Sequence, residues 1–451
     1  MLNRSRILFS IAANALCAGG VFMFPLFSPV LAQHFKFTQP QLTSIVLAGM
    51  AGQYPCTPLV GKIIDNQGPW LCSLIAALLF SFAFGSFSYM LEALENPPSK
   101  ASVYFLVFLF ALAGFATVFS YFSSLFAATR NFPAHPGIAA GTVLALFGLS
   151  PLFLSYIASN SFTDDTDKSL NLINFLVFLT ILSGGIHIIG ALNLRVPSNH
   201  PPITLPSEPD ETTALLPNNG RGSALNLVRD PYFWVLFTLL VLTLGPCEMV
   251  ISNVGTIALS LPSASATVFL GSPGAAASAQ VKILAISNTV TRLLVGPLAD
   301  FVSPIVAIAP PVDSSPKKHY ISRAAFLVGA AVFLAFTFLW MEVVRSQADL
   351  WVLGVGTGIA YGATFTVLPS IITSVWGVPD AGRNFGIVVY APLTGTIFSY
   401  LYAFVSAHHT SDGHFCRGPS CWQFTFWISA GMQVIAFFCG LILWQRWKSL
   451  L

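Results

Sequence analysis

Gly61-Lys62-Ile63-Ile64-Asp65 and Gly296-Pro297-Leu298-Ala299-Asp300 decide how this chain is read. Both have the form G-x-x-x-D, and each closes a long apolar run. One such pentapeptide arises easily by chance. Two of them, at matching ends of apolar runs in opposite halves of the chain, mark an internal repeat. Glycine lets a neighbouring helix approach closely. An aspartate at a helix end can accept hydrogen bonds from the amino end of that neighbour, where the helix dipole favours negative charge. The pair therefore reads as two equivalent clamps between two similar halves.

Around these pentapeptides the composition is that of a membrane protein. Of 451 residues, 20 are Lys or Arg and 17 are Asp or Glu, so charged residues make up 8% and hydrophobic ones 55%. An ordinary soluble domain carries about 25% charged residues. Mean hydropathy is +0.75. These figures exclude a cytosolic enzyme, a nucleic-acid binder and a disordered scaffold. The net charge of +3 implies no polyanionic partner.

Roughly 20 apolar residues cross a bilayer. Apolar runs bounded by charges, Pro/Gly clusters and polar turns predict twelve spans, near 7–31, 42–64, 70–91, 102–126, 138–159, 170–192, 232–255, 281–299, 322–341, 351–374, 385–407 and 423–445. Arg4, Arg6 and Ala13-Asn14-Ala15 have the look of a signal peptide, but the first apolar run is too long for one and is read as a retained helix. Lys and Arg concentrate in alternate loops, as at Lys62, Arg130, Arg195, Arg323, Arg383 and Arg446, which places both termini in the cytoplasm. Between 193 and 231 the chain is rich in Pro, Asn, Ser and acids, a composition that builds no core. The expected organisation is a six-helix half over 1–192, a cytoplasmic linker over 193–231 and a second half over 232–451. Two parallel halves of this kind are a transporter symmetry, with the solute site between them near the bilayer middle.

Further stretches carry a family resemblance. Gly19-Gly20-Val21-Phe22-Met23-Phe24-Pro25 lies in span 1, and Gly61-KIID-NQ-Gly68-Pro69 ends span 2. Asn131-Phe132-Pro133 precedes Gly141-TVLALF-Gly148-Leu149-Ser150; Glu248-Met249-VIS-Asn253 and Arg383-Asn384-Phe385-Gly386 follow in the second half. In this order they resemble the major facilitator superfamily, in its nodulin-like branch, and within it fungal monocarboxylate-transporter homologues of the vacuole membrane. The resemblance implies a secondary active transporter working by alternating access, with Gly61, Asp65, Gly68, Gly296, Asp300 and Arg130 as gating residues. Two positions depart from the superfamily pattern. Pro69 and Trp70 follow Gly68 where basic residues are usual, and Pro136 precedes Gly137 where an Arg is common. Arg130 and Lys62 are the basic residues left to compensate.

Ionisable residues inside a membrane are costly and point to function. Arg292 lies about 12 Å, and Glu248 about 24 Å, from the cytoplasmic helix ends at 1.5 Å per residue. A guanidinium at that depth can bind a carboxylate bidentately, and Arg292-x-x-x-Gly296-x-x-x-Asp300 resembles span 8 of monocarboxylate transporters, where the matching Arg contacts anionic substrate. The alternative is a structural Arg paired within the protein. Glu248 follows the Gly245-Pro246 break and is the candidate for proton coupling, or a hydrogen-bonded Glu near the far interface. Asn253 and Asn288 are candidates for lining the substrate path, with Thr289 and Thr291 beside them. His187 is read as a satisfied core residue. Gly354, Gly358 and Gly362 fall one helical turn apart in an apolar span and suit close packing, not a nucleotide loop.

Cys416 and Cys421 share one far-side loop and form a candidate disulfide. The His-rich stretch 408–414 beside them lacks the spacing of a metal site, and no metal or other cofactor is expected. Glu211-Thr212-Thr213-Ala214-Leu215-Leu216 fits the acidic dileucine signal that sorting adaptors read on the way to vacuoles or lysosomes. Expected partners are thus a small organic solute, the lipid bilayer, protons and an adaptor at Glu211, Leu215 and Leu216, for a monomer in the vacuole membrane. The rival reading is a transporter-derived sensor or scaffold. An intramembrane enzyme would need a paired-acid, Ser/His or metal constellation in the spans, and the sequence offers none.

Overall fold

Breaks inside the apolar runs, as much as the runs themselves, set the element boundaries. The structure is a computed structural model that describes residues 2–37, 39–94, 98–162, 170–194, 224–262, 273–303, 321–409 and 416–447. The first half contains α1 (Leu2–Cys17), α2 (Phe24–Gln33), α3 (Gln39–Ala51), α4 (Thr57–Gln67), α5 (Pro69–Glu92), α6 (Lys100–Asn131), α7 (Pro136–Ser161) and α8 (Leu172–Asn193). The second contains α9 (Ala224–Arg229), α10 (Pro231–Ser260), α11 (Pro273–Val302), α12 (Ala324–Trp340), α13 (Trp351–Trp376), α14 (Ala381–Val388), α15 (Gly395–His408) and α16 (Gln423–Trp447). There is no β-strand among the described residues.

All twelve expected spans fall on helices. Ten stretches of the described residues are long and apolar enough to cross a membrane, and α12 is a shorter apolar helix. The second span is divided between α3 and α4 by a turn at 52–56. A 3-10 turn, Ala18–Met23, bends the first span, and a second, Ala391–Thr394, separates α14 from α15. The reasons are local. The helical geometry breaks at Gly19, where a Cβ would lie 2.5 Å from Ser150 Oγ, so α7 comes close only because this residue is glycine. Pro392 has no N–H to continue the ladder of α14. By contrast Pro151, Pro246, Pro297 and Pro369 sit inside continuous helices, where neighbouring helices can satisfy the freed carbonyls. The span carrying Arg292 starts at Pro273, before the expected 281.

Aromatic contacts fill the core in both halves, and Phe385 of the second also meets Phe122 of the first at 5.5 Å. In the first, Phe80 stacks on Phe84 at 5.7 Å and Phe24 meets Phe110 edge-on at 5.3 Å. In the second, Phe338, Trp422 and Phe426 interlock. His187 is fully buried in the first half, with Nε2 2.6 Å from Ser120 Oγ and Nδ1 2.7 Å from the Ser183 carbonyl. Meanwhile Leu78, Phe82, Tyr104, Ile181, Phe336 and Phe404 are exposed on the outside of the bundle. So much apolar surface suits lipid and not water.

Contacts identify one common end of the bundle. Trp376 meets Trp447 at 5.8 Å and donates to Asp230, and Asn193 donates to Ser10. We call this end, where α1 begins and α16 ends, the base. Between the halves, α4 packs on α14, and α7 packs on α11 and α13. The described residues exclude 195–223, so most of the expected linker, with Glu211, Leu215 and Leu216, lies outside them.

Candidate transport site

At the base, each repeated aspartate reaches across to the opposite half. Asp65, at the end of α4, accepts from the N–H groups of Gly382 (3.1 Å) and Arg383 (2.9 Å) at the start of α14. Asp300, near the end of α11, accepts from the N–H groups of Gly137 (2.9 Å) and Ile138 (2.8 Å) at the start of α7. These donors are the first-turn amides that have no partner within their own helix, so each carboxylate also meets a favourable dipole end. The glycines make this approach possible. A Cβ on Gly61 would collide with the carbonyl of Gly382, and one on Gly296 with the carbonyl of Gly137. Gly68, at φ +89°, makes the turn from α4 into α5, in backbone space that glycine adopts without strain.

Basic side chains differ between the two clamps. Arg130 donates to Asp65 at 3.3 Å and remains partly exposed, at 28%. Arg323 donates to Asp300 at 2.8 Å, is buried at 1% exposure, and also reaches the Ser303 carbonyl. Sequence reading used Arg323 only as a loop charge. Its separation from Asp300 has no counterpart between Asp65 and Arg130, so the repeat did not reveal it. Pro136 sits at the first turn of α7, where a missing N–H costs nothing, and leaves Gly137 and Ile138 to bind Asp300.

Deeper in the bundle lie the two isolated charges. Arg292 is 5% exposed and points from α11 toward α7, where Nη1 donates to the Leu144 carbonyl at 2.6 Å. Its guanidinium lies 5.9 Å from the ring centroid of Tyr361. Nε has no hydrogen-bond partner, and among the described residues no carboxylate is within salt-bridge distance of Arg292. Tyr121, from α6 of the other half, also faces this guanidinium, and its hydroxyl is buried without a partner.

Glu248 sits on α10 and accepts a hydrogen bond from Tyr361 Oη at 2.7 Å. A second phenol, Tyr54 from the turn between α3 and α4, also lies near it. Tyr361 thus stands between Glu248 and Arg292, and the two charges meet through it instead of as an ion pair. Tyr54, Tyr121 and Tyr361 all escaped the sequence reading. A tyrosine inside an apolar span resembles any other aromatic, and only the Gly354-x-x-x-Gly358-x-x-Tyr361-Gly362 run hinted at a tightly packed face. That face packs on α11: a Cβ at Gly358 would lie 2.8 Å from the Leu284 carbonyl, and one at Gly362 2.9 Å from that of Asn288.

Two other candidate residues sit on α10 and α11. Asn253 donates to the Met249 carbonyl (2.8 Å) and to Ser399 Oγ (3.3 Å), joining α10 to α15. Asn288 faces Gly362 of α13, with its side-chain oxygen buried and unpartnered. Cys416 and Cys421 are joined by a disulfide, with Cα atoms 5.8 Å apart, in the segment between α15 and α16 at the end away from the base. No group of three His, Cys, Asp or Glu that could hold a metal occurs among the described residues.

Comparison with known proteins places this geometry in context. The family model described as Major Facilitator Superfamily matches residues 9–391. A protein named probable transporter MCH1 from Debaryomyces hansenii is 28% identical over 433 residues, covering 89% of this chain and 84% of that protein. The protein of the same name from Candida albicans is 27% identical over 447 residues, covering 97% and 91%. Among solved structures, the proton:xylose symporter XylE bound to 6-bromo-6-deoxy-D-glucose superposes with a TM-score of 0.62 at 14% identity, covering 98% of this chain and 95% of that one. FucP, a superfamily transporter in the outward conformation, gives 0.65 at 12% identity, covering 97% and 98%. The matched clamps and the extent of the family match lead to one conclusion: this chain belongs to the major facilitator superfamily of membrane transporters.

Proposed function

We propose that the chain carries a small organic anion, with a carboxylate as the group it recognises, by alternating access between its two halves. One observation carries this reading: Arg292 is a buried cation between the halves, with an unpartnered Nε and no carboxylate to neutralise it among the described residues. A buried charge left unpaired is costly. A guanidinium presents a planar fork of donors that fits a carboxylate, so an anionic solute arriving here supplies the missing counter-charge. Asn288 and Thr289, on the same helix, extend the polar path.

In this reading Asp65 and Asp300 are the gate at the base, with Gly61, Gly68, Gly296 and Arg130 shaping it. Their bonds cross between the halves and must break for the base to open. Glu248 is the proton carrier, since it can take up a proton without leaving a neighbouring buried cation unpaired. The Lys and Arg distribution supports a cytoplasmic base, and the dileucine at Glu211, Leu215 and Leu216 supports delivery by an adaptor to the vacuole membrane.

Full-length protein in liposomes with an imposed pH gradient provides the test. A panel of labelled small carboxylates, neutral sugars and amines is offered in parallel. Saturable uptake of carboxylates, accelerated by the gradient, is expected. Uptake confined to neutral sugars would overturn the anion reading. Binding of a carboxylate without movement would favour a sensor.

A further inference from the structure

The end of α10 away from the base leaves carbonyls that have no partner within the helix. At membrane depth an unsatisfied carbonyl is costly. The second half supplies donors from three places. The Ser260 hydroxyl turns back to the Ile257 carbonyl at 2.7 Å. From the 3-10 turn Gln347–Leu350, the Gln347 side-chain amide donates to the carbonyls of Ala258 (3.0 Å) and Leu261 (3.2 Å), and its backbone N–H donates to that of Pro262 (3.3 Å). The third donor is the N–H of Gly418, 2.7 Å from the Ser260 carbonyl. Gly418 stands at φ +94°, backbone space that glycine adopts without strain, inside the turn closed by Cys416 and Cys421. Beside it the buried Trp422 donates from Nε1 to Ser260 Oγ at 3.0 Å. Cys421 is 1% exposed in this corner, whereas Cys416 is half-buried and Arg417 is exposed.

We propose that the Cys416–Cys421 bond is a dithiol-reducible latch on this end of α10. The bond restricts the turn that presents the Gly418 N–H and keeps that donor aimed at Ser260. A thiolate reductant meets the half-buried Cys416 first, and the exposed Arg417 beside it attracts the negative charge. Attack on Cys416 Sγ forms a mixed disulfide and breaks the bond within the protein. The electron pair leaves on Cys421 Sγ, which takes a proton. The second thiol of the reductant then displaces Cys416, which is protonated in turn. The protein disulfide has gained two electrons and two protons, and the dithiol has become a disulfide. With the bond open, the turn samples more conformations and the Ser260 carbonyl loses its steady donor. Gln347 sits on a separate turn and keeps its bonds. Since α10 carries Glu248, the redox state of the compartment at this end sets how firmly that helix is held.

The test uses full-length protein in nanodiscs, without solute, before dithiothreitol, after it, and after reoxidation with oxidised glutathione. Thiol alkylation counts the free cysteines, and amide hydrogen exchange is read at single residues by mass spectrometry. Reduction should speed exchange at Gly418 at least tenfold, and reoxidation should restore protection. Exchange at Gln347 should change less than twofold. A Cys416→Ser/Cys421→Ser variant should exchange fast at Gly418 with or without reductant. Trp422→Phe, which keeps the disulfide, should keep the tenfold response. Unchanged exchange at Gly418 in the reduced protein would overturn the proposal. So would a bond that resists dithiothreitol in the folded protein, or an equal rise at Gly418 and Gln347, which would mean general unfolding. Because no solute is present, these results stand or fall separately from anion uptake.

Discussion

Arg292, Glu248, Asp65 and Asp300 illustrate how far single residues can be read. The cost of a charge in a membrane made Arg292 and Glu248 visible from sequence alone, and the repeat did the same for Asp65 and Asp300. Their partners were not visible, because a backbone carbonyl such as Leu144 or an aromatic such as Tyr361 carries no signal of its position. If Arg292 holds an anion through charge-assisted bonds, Arg292→Ala should weaken half-saturation for a carboxylate by about 10- to 100-fold, at about 1.4 kcal/mol per tenfold. Arg292→Lys keeps the charge but loses the fork and should fall between. Glu248→Gln should abolish acceleration of uptake by a pH gradient while leaving exchange between equal carboxylate pools. Gradient-driven uptake that persists would remove Glu248 from coupling. The two clamps should also differ in stability. Asp300→Asn leaves the buried Arg323 unpaired, at a cost of about 3–5 kcal/mol. Asp65→Asn leaves Arg130 partly in solvent, at about 1 kcal/mol. Thermal unfolding in detergent should therefore show a much larger loss of Tm for Asp300→Asn.

At the scale of elements, the helices were legible and their interruptions were not. Periods of apolar sequence located all twelve spans to within a few residues at most ends. Pro25, Pro55 and Pro392 stand at or beside the bends, but sequence does not say which prolines break a helix and which, like Pro246, are absorbed. That choice depends on whether neighbouring helices can satisfy the freed carbonyls. The break at 52–56 is the instructive case, since its turn is pinned to the opposite half through Pro55 and Thr57. Glycine positions give a sharper test of element packing. Gly61→Val should force α4 from α14, because the added carbons meet the Gly382 carbonyl. Amide hydrogen exchange at Gly382 and Arg383 should then rise at least tenfold. Gly185→Ala, where a Cβ meets nothing within 4 Å, should leave exchange unchanged. Equal effects of both substitutions would show that the base contact does not depend on close approach.

For the whole molecule, the repeat carried most of the information. Two G-x-x-x-D runs implied two halves, and the structure shows each aspartate bonded to the opposite half at the same end. Both clamps are closed here, so the base is sealed by four backbone N–H donors and two arginines. Arg292 and Glu248 lie deeper than that seal, with Tyr361 between them, where the proposed site would be reached from either side in turn. What such a site accepts follows from its uncompensated charge more than from its fold, because this fold hosts sugar symporters as well. The most direct measurement is therefore the uptake of labelled small carboxylates into liposomes by parent protein and Arg292→Ala side by side, across a range of concentrations. Saturable uptake by the parent, with half-saturation raised at least tenfold in Arg292→Ala at equal reconstitution, is the expected result. Equal half-saturation in the two proteins would contradict the assignment of Arg292 as the anion site.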